Sequence, residues 1–203
     1  QPADEHGREP LGLEIVEDLP GVATVIVPVG GGGLIAGITT AVKALVPESR
    51  VIGVQAAACP SARAAIAHGG PVTIGSGPTI ADGIRVSRVG DLAFPVLRDL
   101  VDDLVEVDDE AIVAAMYALL ERKKVLAEGA GATPLAALLS GKVKIVGGEQ
   151  VVAVISGGNV DPFLFERVLR KGLFEAGRIL EGTIELEEGP KSLPLLLSLI
   201  AAE

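Results

Sequence analysis

The stretch Val25-Ile26-Val27-Pro28-Val29-Gly30-Gly31-Gly32-Gly33-Leu34-Ile35-Ala36-Gly37 runs from β-branched residues through four consecutive glycines into an Ala/Leu/Ile-rich helical pattern. A buried strand that turns into a helix is the basic unit of an α/β sheet. The glycines add chemistry to it. Without Cβ atoms, a turn brings several backbone N–H groups against one anion, and the helix N-terminus adds a positive partial charge. A tight turn alone needs fewer glycines, so the run points to a phosphate site whose owner the stretch itself leaves open.

Working outward, the same alternation repeats. Strands are expected at 22–29, 51–55, 104–107 and 151–155, and helices at 34–46, 60–68, 91–101, 109–124, 132–140 and 162–171. Asp108 stands as an N-cap before an acidic first turn, and Gly141 ends a helix. Residues 69–83, rich in Gly, Pro, Ser and Thr, read as an irregular surface or site-lining loop. The fold class is therefore α/β, a mostly parallel open sheet with helices on both faces. Near Gly172 the pattern changes. Residues 178–187 alternate as a strand would, and an apolar helix is expected from about Ser192 to the terminus. The organisation expected is an irregular edge over 1–10, a main domain over 11–172 and an incomplete β-α tail over 173–203.

Composition limits the function classes. The chain has 203 residues, 49% of them apolar and 2% aromatic, which suits small-residue packing of helices on a sheet and provides no aromatic stacking platform. A net charge of -10 repels a phosphate backbone, so nucleic acid is not an expected partner. The single cysteine, Cys59, forms no internal disulfide, and His6 and His68 stand far apart, so no zinc constellation exists. Apolar runs are too short to span a bilayer, and a cytoplasmic setting without a membrane partner is expected.

Three owners compete for the phosphate site. A nucleotide P-loop needs Gly-Lys-Ser/Thr after the run, and Gly33 is followed by Leu34 and Ile35. A dinucleotide fold is harder to dismiss, since Gly31, Gly33 and Ala36 satisfy G-x-G-x-x-A. The next strand, however, ends at Gln55 where an acid should hold the ribose. Pyridoxal phosphate is the third, and a second motif favours it. The strand Val151-Val152-Ala153-Val154-Ile155 reads as buried and ends in Ser156-Gly157-Gly158-Asn159-Val160-Asp161. In a parallel sheet both loops emerge at one carboxyl edge, one or two strand spacings of ~4.8 Å apart, room for a flat cofactor with phosphate at one end and a ring at the other.

Four motifs in unbroken order carry a resemblance: Pro28-Val29 with the glycine run, Thr79-Ile80-Ala81-Asp82-Gly83-Ile84, Ala127-Glu128-Gly129-Ala130-Gly131-Ala132, and Ser156-Gly157-Gly158-Asn159-Val160-Asp161. From about residue 11 to 171 the chain resembles the threonine dehydratase (threonine/serine ammonia-lyase) family, with the serine racemases as close relatives. The resemblance implies the tryptophan-synthase-β-like pyridoxal-phosphate fold, here truncated. It implies that the backbone of Gly30, Gly31, Gly32, Gly33 and Leu34 grips the cofactor phosphate and that Ser156 bonds the pyridine nitrogen. A neutral hydroxyl there makes the ring a milder electron sink than a carboxylate would, suiting dehydration over transamination. Glu128, the candidate catalytic residue, is implied to lie near the substrate or ring. An acid favouring the N-terminus of the following helix is the equal alternative.

The activity so implied is deamination of L-threonine or L-serine to a 2-oxo acid and ammonia, in amino-acid metabolism and isoleucine biosynthesis. The partners implied are an amino-acid substrate, other copies in a homo-oligomer, and a missing N-terminal segment. That segment matters because the family's Schiff-base lysine lies well upstream of the glycine run, and the 29 residues upstream here contain no lysine. Lys43, Lys123, Lys124, Lys142, Lys144, Lys171 and Lys191 read as solvated charges. The expectation is a C-terminal portion, inactive alone, with a non-catalytic remnant or a racemase-like enzyme as alternatives. Where the metal-dependent racemases carry acids, the chain has Gln55, Cys59 and Ser61, so no metal site is expected. Gly7 to Leu11 departs from the family pattern too, and a rebuilt or disordered entry is expected there.

Overall fold

A computed structural model of the chain describes residues 9–185 and 192–200. Four strands, β1 (Thr24–Pro28), β2 (Arg50–Ala56), β3 (Asp103–Val107) and β4 (Val151–Ala153), form one parallel sheet in the order β3-β2-β1-β4. The helices that accompany them are α1 (Glu9–Asp18), α2 (Gly33–Leu45), α3 (Ser61–His68), α4 (Ala93–Asp99), α5 (Asp109–Ala118), α6 (Gly129–Leu139) and α7 (Pro162–Glu175). Alternate residues of β1 enter opposite cores, as a strand's two-residue period requires. Ile26 packs with Ile52, Val54 and Val107 beneath α5 and α6, while Val25 and Val27 join Val51, Ile35, Ile38 and Phe94 beneath α1, α2 and α4. All five residues of β1 are buried, so the sheet is covered on both faces.

Local signals account for the helix ends. Asp108 Oδ1 accepts from the Ala111 N–H at 2.9 Å, capping α5, and α5 continues into a π turn over Leu119–Lys123. Gly141 follows α6 in the left-handed region at φ 69°, as a helix stop should. Pro134 sits inside α6 without breaking it. A proline N cannot donate to the carbonyl four residues back, and here the Thr133 hydroxyl donates to that carbonyl, Ala130 O, at 2.8 Å.

Three sequence readings need correction. The 151–155 run is not a fully buried strand: it pairs over three residues, and Val151–Ala153 are half-buried because β4 lies at the sheet edge among the described residues. An all-apolar run reads alike at an edge and in the centre. The N-terminal edge is not irregular throughout, since Glu9–Asp18 is helical; Pro10 is tolerated in a first turn, and Gly12 fits where α1 presses on α2, its missing Cβ lying 2.7 Å from Ala41 Cβ. Gly7 and Arg8 lie outside the described residues.

The chain divides into two compact units, Gln1–Gly172 and Leu173–Glu203. In the second, residues 178–185 form no strand, and 186 and 187 lie outside the described residues. An alternating run needs a partner for its backbone groups, and no described strand pairs with it. The expected tail helix is present as α8 (Ser192–Ile200).

Replacing Ile26 by alanine should cost ~2–5 kcal/mol, because the central strand cannot close the cavity. The same change at Leu92, 72% exposed, should stay within ~0.5 kcal/mol. Urea unfolding of both variants checks this.

Candidate functional site

Pairing in register brings the two predicted motifs together. Thr24, Val25 and Ile26 lie beside Val151, Val152 and Ala153, and the ladder continues with the Val154 N–H donating to Ile26 O at 2.9 Å. Both chains then leave the sheet at its carboxyl edge, one through the glycine run and the other through Ser156. Gly30, Gly31, Gly32, Gly33 and Leu34 line one cleft of about 380 Å³ with Ser156 and Glu128. Every residue predicted for the site is therefore at this cleft.

The glycine wall is bare backbone for stated reasons. Gly32 takes φ 94°, a left-handed conformation, and a Cβ there would stand 2.8 Å from both Ala93 Cβ and Leu97 Cδ1. The first α-helical bond of α2 runs from the Ala36 N–H to Gly32 O. N–H groups before it belong to the first turn, which has no helical acceptors, and no acid stands in that turn. These features suit an anion.

The opposite wall comes from α6. Gly131 has no room for a side chain, since a Cβ would fall inside the Ser156 carbonyl oxygen. The glycines of Gly129-Ala130-Gly131 thus let the helix press against the serine loop. Glu128 precedes α6 as its N-cap, yet its carboxyl makes no capping bond. The side chain therefore does not cap the helix through a hydrogen bond. The half-buried side chain also lines a second, outer pocket of about 570 Å³ with Thr79, Asp82, Asn159 and Asp161. Burial first, then the negative charge of Asp82, hold the Glu128 proton more tightly than usual, while the Asn159 backbone N–H works the other way.

Sequence reasoning offered residues 69–83 as a surface or site-lining loop and named no functional residue within 79–84, although their motif was recognised. The signal lay in Asp109, in the first turn of α5. Its carboxylate accepts from Thr79 Oγ1 at 2.6 Å and from the Ile80 N–H at 3.1 Å, which pins the loop that brings Gly83 and Ile84 to the cleft. No lysine lines either pocket among the described residues. Lys43 instead pairs with Asp102 at 2.8 Å, and Lys124 donates to Glu121 O at 2.7 Å. Lys191 lies outside the described residues.

The three side chains considered for a metal, Gln55, Cys59 and Ser61, carry no carboxylate. Gln55 Oε1 accepts from the Arg63 N–H at 3.0 Å, whereas Gln55 Nε2 and Ser61 Oγ are buried without a protein partner. Cys59 is buried against Val86 O at 3.4 Å, and burial pushes its thiol pKa up, partly offset by the Arg85 charge. Among the described residues, no three His, Cys, Asp or Glu side chains gather as a metal site, and no helix is long and apolar enough to cross a membrane.

Residues 2–157 match the family model described as pyridoxal-phosphate dependent enzyme. The chain belongs to that family. It is 48% identical over 195 residues to the L-threonine ammonia-lyase of Geobacter sulfurreducens, an alignment covering 96% of this chain and 48% of that protein. The chain thus spans about half the length of the curated relatives it matches. Among solved structures, the T.th. threonine deaminase superposes with a TM-score of 0.72 at 37% identity, covering 77% of this chain and 58% of that one. Maize serine racemase does so with 0.74 at 39%, covering 85% and 54%. The glycine cleft of this pyridoxal-phosphate-family chain lies largely within the matched residues, and the serine loop straddles their end.

Because the folded state holds the Glu128 proton above the ordinary carboxylate value of 4.5, it binds more protons there than the unfolded chain. The resulting stability is fully present below that value and is lost as pH rises through the raised folded pKa. Urea unfolding across this window should show the wild-type chain losing stability relative to Glu128→Gln, whose amide does not titrate.

Proposed function

We propose that this chain supplies the phosphate cradle and the ring-nitrogen contact for pyridoxal 5'-phosphate in an enzyme that deaminates L-threonine, and L-serine as a second substrate, to a 2-oxo acid and ammonia. The observation that carries the reading is the parallel pairing of β1 with β4, which sets the glycine run and Ser156 on one cleft. The residues suit the cofactor: bare backbone and a helix start free of acids for its phosphate, and a neutral hydroxyl for its ring.

When bound, the cofactor acts as an electron sink for the bond broken at the substrate's α-carbon. The chain's own residues orient it. N–H groups of Gly30, Gly31, Gly32, Gly33 and Leu34 would bind the phosphate, and the Ser156 hydroxyl would bond the pyridine nitrogen without forcing a proton onto it. Gly83 and Ile84, at the end of the loop that Asp109 ties down, line the side of the cleft.

The Schiff-base lysine is assigned to a segment outside these 203 residues. The half-length match and the absence of a lysine, among the described residues, from both pockets support that assignment, and the chain alone should be inactive. Domain roles follow: residues 11–172 hold the cofactor, and 173–203 begin a regulatory-type tail. We place the assembled protein in the cytoplasm, in keeping with the lone buried thiol of this chain, and as a homo-oligomer, by resemblance. Likeness to maize serine racemase makes racemisation the second reading, and D-serine formation by the assembled enzyme would select it.

Titration with pyridoxal phosphate, followed by its fluorescence, tests the cradle. Ser156→Ala removes one neutral hydrogen bond and should weaken binding about tenfold or less. A Cβ at Gly31 meets only Val86 Cγ1, at 3.9 Å, so the fold has room for the first carbon of the side chain in Gly31→Val. That variant should lose ~100-fold, since several charge-assisted bonds from the loop are disturbed together. Equal losses in the two variants would contradict this division of labour.

A further inference from the structure

Glu128 touches the serine loop through more than one group. Its backbone N–H donates to Gly157 O at 3.2 Å, while its own carbonyl accepts from the Ala132 N–H at 3.0 Å in the first turn of α6. The residue is thus a joint between a buried helix and an exposed loop. The carboxyl extends the same joint. Gly157 takes φ 79°, and a Cβ built on it would fall inside Glu128 Oε1; one on Gly83 would come within 3.3 Å of that oxygen. The carboxyl therefore lies in a slot cut by two glycines and lines one pocket with Asn159, whose backbone N–H acts on it to favour the ionised form. Residues 157–159 are exposed and carry no strand or helix of their own. Without such a tie, the segment that carries Ser156 would have few fixed contacts.

We propose that Glu128 is a positioning residue for the serine loop, clamping Gly157 through its backbone and Asn159 through its carboxyl so that Ser156 faces the glycine run, and that it serves the reaction by this contact rather than by moving a proton. This rests on the reading of the cleft as the cofactor site. An acid or base must change its protonation state to act, and a clamp need only accept a hydrogen bond. A clamp works in either protonation state: the Asn159 N–H favours the ionised carboxylate, and the neutral acid would still offer its carbonyl oxygen. Glutamine has the same shape and the same acceptor, so it should replace Glu128 in a clamp and fail in proton transfer.

The test needs no cofactor. Hydrogen exchange at the Asn159 amide is compared in wild type, Glu128→Gln and Glu128→Ala. Exchange in the alanine variant should be about tenfold faster, the loss of one hydrogen bond, and the glutamine variant should stay near wild type. Should Glu128→Ala not fold, Glu128→Met keeps the bulk without the acceptor and takes its place. Unchanged exchange without the acceptor overturns the proposal, as does exchange in Glu128→Gln as fast as in Glu128→Ala. Pyridoxal phosphate affinity of the same proteins is the second readout, expected to fall with alanine and to be restored by glutamine. If wild type binds no pyridoxal phosphate while the exchange pattern holds, the cofactor reading fails and the clamp stands. In the assembled enzyme, turnover lost equally in the glutamine and alanine variants would overturn the clamp in favour of proton transfer.

Discussion

The parallel pairing of β1 with β4 is the constraint on which the rest depends. Strands that run in the same direction release their loops at the same edge, and the register Thr24 with Val151 brings the two exits level. A slip of one residue would turn Val25 and Val27 out of one core and into the other, and both cores are filled. The packing of Ile26 on one side and Val25 on the other therefore fixes the distance between the glycine run and Ser156. A site for a small flat cofactor follows from the same contacts that stabilise the sheet.

Close approach of α6 is the second requirement. Burying this helix against the sheet brings its first turn onto the serine loop, where only glycine at position 131 leaves room for the Ser156 carbonyl. The Thr133 hydroxyl satisfies the acceptor that Pro134 would leave open, so the helix keeps its line despite the proline. Glu128, at the start of this helix, is half-buried at the boundary of the two pockets. Helix packing, loop position and the electrostatics of one carboxyl are thus a single arrangement.

Much of this was legible in the sequence, for physical reasons. The β-branched run before the glycines and the acid at position 108 are local signals, and local structure obeyed them. The meeting of the glycine and serine loops was legible because both lie at strand ends, where chain direction alone decides which loops meet. Other features were hidden because they depend on neighbours far away in the chain. Val151–Ala153 read as buried although the strand lies at the edge of the described sheet, and residues 178–185 alternate without any described strand to pair with. Helix α1 was obscured by Pro10 and Gly12, residues that a first turn and a close helix contact accept. The contacts of Glu128 were invisible because they follow from the left-handed turn at Gly157.

The central claim is that the cradle lies in this chain and the Schiff-base lysine does not. The most direct measurement mixes the chain with pyridoxal phosphate and the part of the Geobacter sulfurreducens relative that lies outside the alignment, reduces the mixture with borohydride, and maps the labelled peptide by mass. The account predicts one stoichiometric label, on a lysine of the added segment, with ammonia released from L-threonine by the unreduced mixture. A stoichiometric label on Lys43, Lys123, Lys124, Lys142, Lys144, Lys171 or Lys191 would contradict it.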